Sequence, residues 1–182
     1  MDATITTDKK IQIIGTSNRY QIKKLVKPRE TEHKIRAVVE NWDINRPTTW
    51  EEQWNLLQSN SCLLMKQEIE RKRGGYRQQD KQKGLFCEDL FVSFSDILET
   101  MLKSKLQCIY CLSPMFVLYD HVREKKQWTL DRLDNSKGHN RDNVVVSCLE
   151  CNLKRRRTSQ TAFLFTKHLV IKREGIEGRE GK

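Results

Sequence analysis

No stretch of this sequence approaches the roughly 20 consecutive apolar residues that span a bilayer, and its first residues, MDATITTDKK, lack the apolar core of a signal peptide. The expectation is a chain kept inside the cell, in cytoplasm or nucleus, neither secreted nor inserted in a membrane. Length is also short for two large domains: 182 residues suit one ordinary domain, or a small one with a helical extension. Acidic residues are in deficit. Asp and Glu number 24 against 34 Lys and Arg, a formal net charge of +10 and a sequence pI near 9.4, which favours polyanionic partners through phosphate contacts and counterion release. Charge of this kind names a class of partner and leaves the reaction open.

Six cysteines are present. In a reducing compartment thiols stay reduced, and paired C-x-x-C units there usually hold metal. Four of the six form two such pairs, Cys108 with Cys111 in CIYC and Cys148 with Cys151 in CLEC. Cys62 and Cys87, in SCLLM and GLFCEDLF, read as ordinary buried thiols.

Residues 1–29 mix polar and basic residues with short apolar stretches and show no clear periodicity, which reads as a basic arm with one short strand at most. From Glu30, the spacing of Ile35, Val38, Val39 and Trp42 predicts a short amphipathic helix, ended at Asn45, Arg46 and Pro47. Thr48 with Glu51, or Thr49 with Glu52, fits a capping box ahead of a second helix carrying Trp50, Trp54 and Leu57. A third helix is expected over residues 62–72, stopped by Gly74 and Gly75. The basic segment 71–84, RKRGGYRQQDKQKG, reads as a flexible loop whose Arg71, Lys72, Arg73 and Arg77 track a phosphate backbone, or as a solvated linker. Ser95 can cap a further helix through Ile97, Leu98, Met101 and Leu102.

A structural zinc ion takes four thiolate or imidazole ligands in a tetrahedron, and two residues between paired cysteines let one turn present both sulfurs to it. Cys108, Cys111, Cys148 and Cys151 supply two such turns. The insert between the pairs reads as strands in MFVLYDHV and QWTLDRL, a turn-rich loop NSKGHNRD, and a third strand NVVVS leading into the second pair and the helix CNLKRRR. Beyond it, SQTAFLFTKHLVI predicts a last short helix that packs Ala162, Phe163 and Phe165 on the core, and residues 171–182 form a charged tail.

The stretch LDRLDNSKGHNRDNVVVSCLECNLKRRR resembles the ββα-metal core of HNH (His-Me finger) endonucleases, in the zinc-braced form found in phages and large DNA viruses. The resemblance covers about residues 106–157, within a domain spanning 95–170 that follows a helical region at 30–94. It implies an α+β fold and a metal-dependent DNA endonuclease. It also implies that Asp131 and Asn152 hold a catalytic Mg²⁺ or Mn²⁺ and that Asn143 fixes the loop. A hard divalent cation does take oxygen donors from few protein ligands, with waters and phosphate filling its sphere.

The sequence departs from that pattern at one place. Where the general-base histidine is expected stands Arg132, which stays protonated and can clamp phosphate but cannot accept a proton from water. His139 in the loop is the first substitute, Asp134 the second, and Tyr119 and His121 follow. The alternative is a non-catalytic zinc module that binds DNA on the same scaffold. In either case Lys154, Arg155, Arg156 and Arg157 are expected to meet phosphates.

Overall fold

A computed structural model describes residues 34–169. The expected basic arm (1–29) and charged tail (171–182) lie outside the described residues. The fold is α+β. A single 3₁₀ turn at Ala37–Asn41 leads to helices α1 (Trp50–Ser59), α2 (Leu63–Gln82) and α3 (Phe94–Lys103). The two-stranded antiparallel sheet of β1 (Trp128–Arg132) and β2 (Val144–Cys148) follows, then helices α4 (Leu149–Arg155) and α5 (Gln160–His168).

Helix α1 starts at the Thr49–Glu52 capping box, with the Thr49 hydroxyl accepting from the Glu52 amide and the Glu52 carboxylate accepting from the Thr49 amide. Trp50 and Trp54 stack 6.4 Å apart on its flank. At α3 the capping box is Ser93 with Asp96, two residues before the expected Ser95. In that box the Ser93 backbone and hydroxyl hold the Asp96 carboxyl below the usual carboxylate range. The helix expected from Ile35 to Trp42 shrinks to the 3₁₀ turn. Its β-branched Val38 and Val39 are poor helix formers. Its entry is pinned by Arg36, which donates to the Tyr119 carbonyl at 2.9 Å and pairs with Glu68.

The largest departure is α2, which runs through Gly74 and Gly75 to Gln82 where a stop and a flexible loop were expected. Each glycine costs only about 1 kcal/mol relative to alanine, and tertiary contacts outweigh that. Met65, Glu68, Ile69, Tyr76 and Asp80 are buried on one face, at spacings of 3, 1, 7 and 4 that suit a helix. MFVLYDHV, expected as a strand, makes only isolated bridges, such as Phe116 with Gln127. Its backbone is satisfied instead by the wholly buried Gln53, which accepts from the amides of Val117 (2.9 Å) and Leu118 (3.0 Å) and donates to the Leu118 carbonyl (3.1 Å). A side chain thus does the work of a partner strand.

In β1 the side chains of Trp128 and Leu130 alternate with those of Thr129 and Asp131, and register pairs Thr129 with Ser147 and Asp131 with Val145. One core joins Leu57, Met65, Ile69, Ile97, Met101, Tyr110, Trp128, Leu130 and three of the four paired cysteines. On α5, Phe163 is buried edge-on against Tyr110 with ring centroids 5.0 Å apart. Ala162 and Phe165, expected in the core, are exposed. Cys87, expected buried, is exposed, and Cys62 is half-buried. No helix among the described residues is long and apolar enough to cross a membrane.

Candidate metal centre

The two C-x-x-C turns converge. The Sγ atoms of Cys108, Cys111, Cys148 and Cys151 all lie within 4.8 Å of one another, close to the separation of about 3.8 Å that a tetrahedral ion with metal–sulfur bonds near 2.3 Å would impose. The first turn is closed by the Leu112 amide donating to the Cys108 carbonyl at 2.8 Å, with Leu112 in the left-handed region at φ 57°. The second is a helix start: Cys148 is the N-cap of α4, and its Sγ accepts from the Cys151 amide at 3.4 Å. The Cys148 thiol, by hydrogen bonding, holds Cys108 down to about 5, while burial and the Cys108 thiolate push Cys151 up to about 12. The first thiolate formed makes the next harder to form, a conflict that a bound cation relieves. The four residues fit a metal ion.

Tyr110 lies inside the first cysteine turn and connects this centre to the hairpin. Its hydroxyl donates to Asp131 Oδ2 at 2.7 Å. Asp131 is also gripped by Arg155 of α4, with Nε 2.6 Å from Oδ2 and Nη2 2.7 Å from Oδ1. The Arg155 guanidinium further donates to the carbonyls of Thr158 (2.6 Å) and Arg132. Asn152, one turn earlier on α4, donates to Thr129 Oγ1 at 3.0 Å and to the Leu130 carbonyl at 3.3 Å. Both helix residues therefore meet the same face of β1. Asp131 and Asn152 do not fit a hard divalent ion as they stand. The carboxylate already accepts three hydrogen bonds and is neutralised by Arg155, and the carboxamide turns its N–H₂ end to the strand.

Asn143 binds the loop between the strands. Its carboxamide accepts from the Asp134 amide and donates to the carbonyls of Asp134 and Gly138, each at 2.9 Å. Asp134 is beyond the end of β1 and exposed, its carboxylate accepting from the Ser136 amide and hydroxyl, which lower its pKa. Arg132 folds over the same loop, donating to the carbonyls of Asn135 and Lys137.

His139, expected in the loop as the first substitute for the general base, is buried. Its Nδ1 is 2.8 Å from Asp80 Oδ1, its amide donates to Asp80 Oδ2 at 2.6 Å, and its ring lies 4.5 Å from that of Tyr76. Burial lowers its pKa against the opposing pull of Asp80. Tyr119 lies 4.2 Å beneath the Arg36 guanidinium, and burial raises its pKa. His121 bridges to Ile35, and with Tyr119 it lines a cleft of about 220 Å³ together with Arg46, Asp120 and Glu124. A second hollow of about 360 Å³ lies beside Cys108, between Lys103, Ile109, Leu112 and Val145. Neither hollow is lined by Asp131, Asn152 or His139.

The expected phosphate contacts divide in two. Arg71 is paired with Glu68, Arg73 with Glu70 and the Val92 carbonyl, and Arg77 with Glu88. Lys72 turns inward onto Gln127 Oε1 (2.9 Å) and the Trp128 carbonyl. Burial, with Arg36 and Arg71 nearby, pulls Lys72 down to about 7. Arg155 is consumed by Asp131. Lys154 pairs with Glu150, whereas the exposed side chains of Arg156, Arg157 and Lys137 have no ion-pair partner among the described residues. Asn135 Nδ2 donates to the Arg156 carbonyl at 3.3 Å and joins the loop carrying Lys137 to that helix end.

Sequence reasoning missed Tyr110, Tyr76 and Asp80. The one available signal was Asp80 itself, the single acid in a run of otherwise basic and neutral residues. Comparison with known protein families, curated proteins and solved structures finds no match for this chain.

Proposed function

We propose that this chain is a nucleic-acid-binding module of the HNH type, braced by one structural zinc ion on Cys108, Cys111, Cys148 and Cys151, with DNA as its ligand. The observation that carries the reading is a set of exposed cations, Arg156 and Arg157 just past the end of α4 and Lys137 on the loop that Asn135 ties to that end. These side chains are exposed and form no ion pair among the described residues, Lys137 acting on Asp134 only through its charge, while Arg71, Arg73, Arg77 and Arg155 are each paired with an acid of this chain. They sit where α4 and the loop between β1 and β2 meet, on a unit whose geometry the metal centre fixes. Zinc suits the site because four thiolates close its tetrahedron and leave no position for substrate, which makes its role structural.

Anisotropy of a labelled duplex titrated with zinc-loaded protein at several salt concentrations tests this. Replacing Lys137, Arg156 and Arg157 by Gln together is expected to lower the slope of log K against log salt by about 2 to 3, since each phosphate contact contributes about 0.9. The Arg73→Gln/Arg77→Gln variant is expected to keep the slope. The reverse pattern would place the contact surface on α2.

A second reading, phosphodiester hydrolysis with Mg²⁺ or Mn²⁺, is favoured by one observation: Asn152 and the partner of Asp131 reach β1 from adjacent turns of α4. Under it the general base would come from His139 or Asp134, since Arg132 cannot serve. Supercoiled plasmid incubated with Mn²⁺ separates the readings. Nicking that Asp131→Ala abolishes, with zinc content kept, selects the nuclease. Intact duplex, branched and single-stranded substrates select the binding module.

A further inference from the structure

We infer that Arg155 is the resident cation of the Asp131 site, a fixed guanidinium standing where the resemblance to HNH enzymes calls for a divalent metal ion. The inference rests on reading β1, β2 and α4 as an HNH-type unit. Arg155 and Asp131 are 1% and 5% exposed in their side chains, so the pair is closed to solvent. Both oxygens of the carboxylate are engaged, three hydrogen bonds in all. Oδ2 receives both the Tyr110 hydroxyl and Arg155 Nε, and Oδ1 receives Nη2. The guanidinium is equally committed, with Nη1 on the Thr158 carbonyl and Nη2 also on the Arg132 carbonyl.

The geometry of the bond is the bidentate fork that arginine makes with carboxylate and lysine cannot. A divalent ion entering here would have to expel Arg155, leaving several of its N–H groups buried without acceptors. Asn152 does not help it. One of its two partners is the Leu130 carbonyl, which only accepts, so the amide nitrogen and not the oxygen faces the strand. The consequence is a unit whose charge at this position is covalently supplied, insensitive to the concentration of divalent ions, and held in register with the metal centre through Tyr110.

The test is the binding of Mn²⁺ alone to the zinc-loaded full chain, followed by electron paramagnetic resonance, with zinc content and thermal unfolding as controls. Wild type is expected to show no Mn²⁺ site that depends on Asp131. Arg155→Met, which keeps length and removes charge, is expected to gain Mn²⁺ affinity on the order of 10²- to 10³-fold, and Asp131→Asn added to it should remove the gain. One Mn²⁺ bound per wild-type chain and lost in Asp131→Asn would overturn the inference. So would a folded Arg155→Met that gains nothing. Should Arg155→Met fail to retain zinc, the comparison of wild type with Asp131→Asn decides alone. Loss of DNA binding in the anisotropy experiment would count against the binding reading and leave this result standing.

Discussion

At Gly138 the loop passes so close to α2 that a Cβ built there would lie 2.5 Å from the Leu85 carbonyl oxygen and 2.9 Å from Asp80 Oδ2. Backbone atoms cannot yield as a flexible side chain can. Gly138→Ala is therefore expected to destabilise the zinc-loaded protein by about 1–3 kcal/mol, the usual cost of overpacking, read as a lower urea midpoint at unchanged slope. The glycine was legible in the sequence as part of a loop, but its reason is the Leu85 backbone just past α2, 53 positions earlier, with Asp80 of that helix beside it. Lys72 offers a second residue-scale test. Its folded pKa, about 7, lies below the ordinary value of about 10.4, so between these the unfolded chain holds a proton that the folded chain lacks. The stability this group contributes is full above about pH 10.4 and is lost as pH falls to about 7. Urea midpoints measured from pH 7 to 10 should rise more steeply for wild type than for Lys72→Met. Equal slopes would mean that the amine is not buried in solution.

Among the elements, α2 was the hardest to read and offers the cleanest check. Its buried face carries Glu68, Tyr76 and Asp80 beside Met65 and Ile69, so its second half shows no apolar stripe, and hydrophobic periodicity had little to count. The polar residues are tolerated there because each has a partner: Glu68 pairs with Arg36 and Arg71, Asp80 with His139, and the Tyr76 hydroxyl accepts from the Leu130 amide. A Cβ added at Gly74 or Gly75 meets nothing within 4 Å. Gly74→Ala and Gly75→Ala should each stabilise by about 0.5–1 kcal/mol, because alanine loses less backbone entropy on forming a helix. Were this segment a loop in solution, neither change would raise the melting temperature. By contrast α1 and α4 were visible in advance, since a capping box and a cysteine turn are local signals that need no partner to be recognised.

Across the whole molecule the metal centre and the helices share one core, in which Cys108, Cys148 and Cys151 stand with Leu57, Ile69 and Ile97. Removing the metal with a chelator is thus expected to abolish a single cooperative transition, followed by circular dichroism, and not only to loosen the hairpin, because binding energy in such a site is folding energy. Two separate transitions would show that α1 to α3 hold without it. The sequence alone determined the cysteine tetrad, the α+β character, the β1–β2 hairpin with its following helix, and an excess of positive charge. The cysteine turns, the strands and the helix are written in spacing over a few adjacent residues, the charge in overall composition, and the α+β character came with the resemblance to HNH enzymes. Only the tertiary structure decided which charges remain for a partner. Whether an arginine is spent depends on acids distant in sequence, as with Arg155 and Asp131 or Arg36 and Glu68, and the same holds for His139, whose surroundings are set by Asp80. An ion pair is made by whatever the fold brings within about 4 Å, and spacing along the chain says little about that distance.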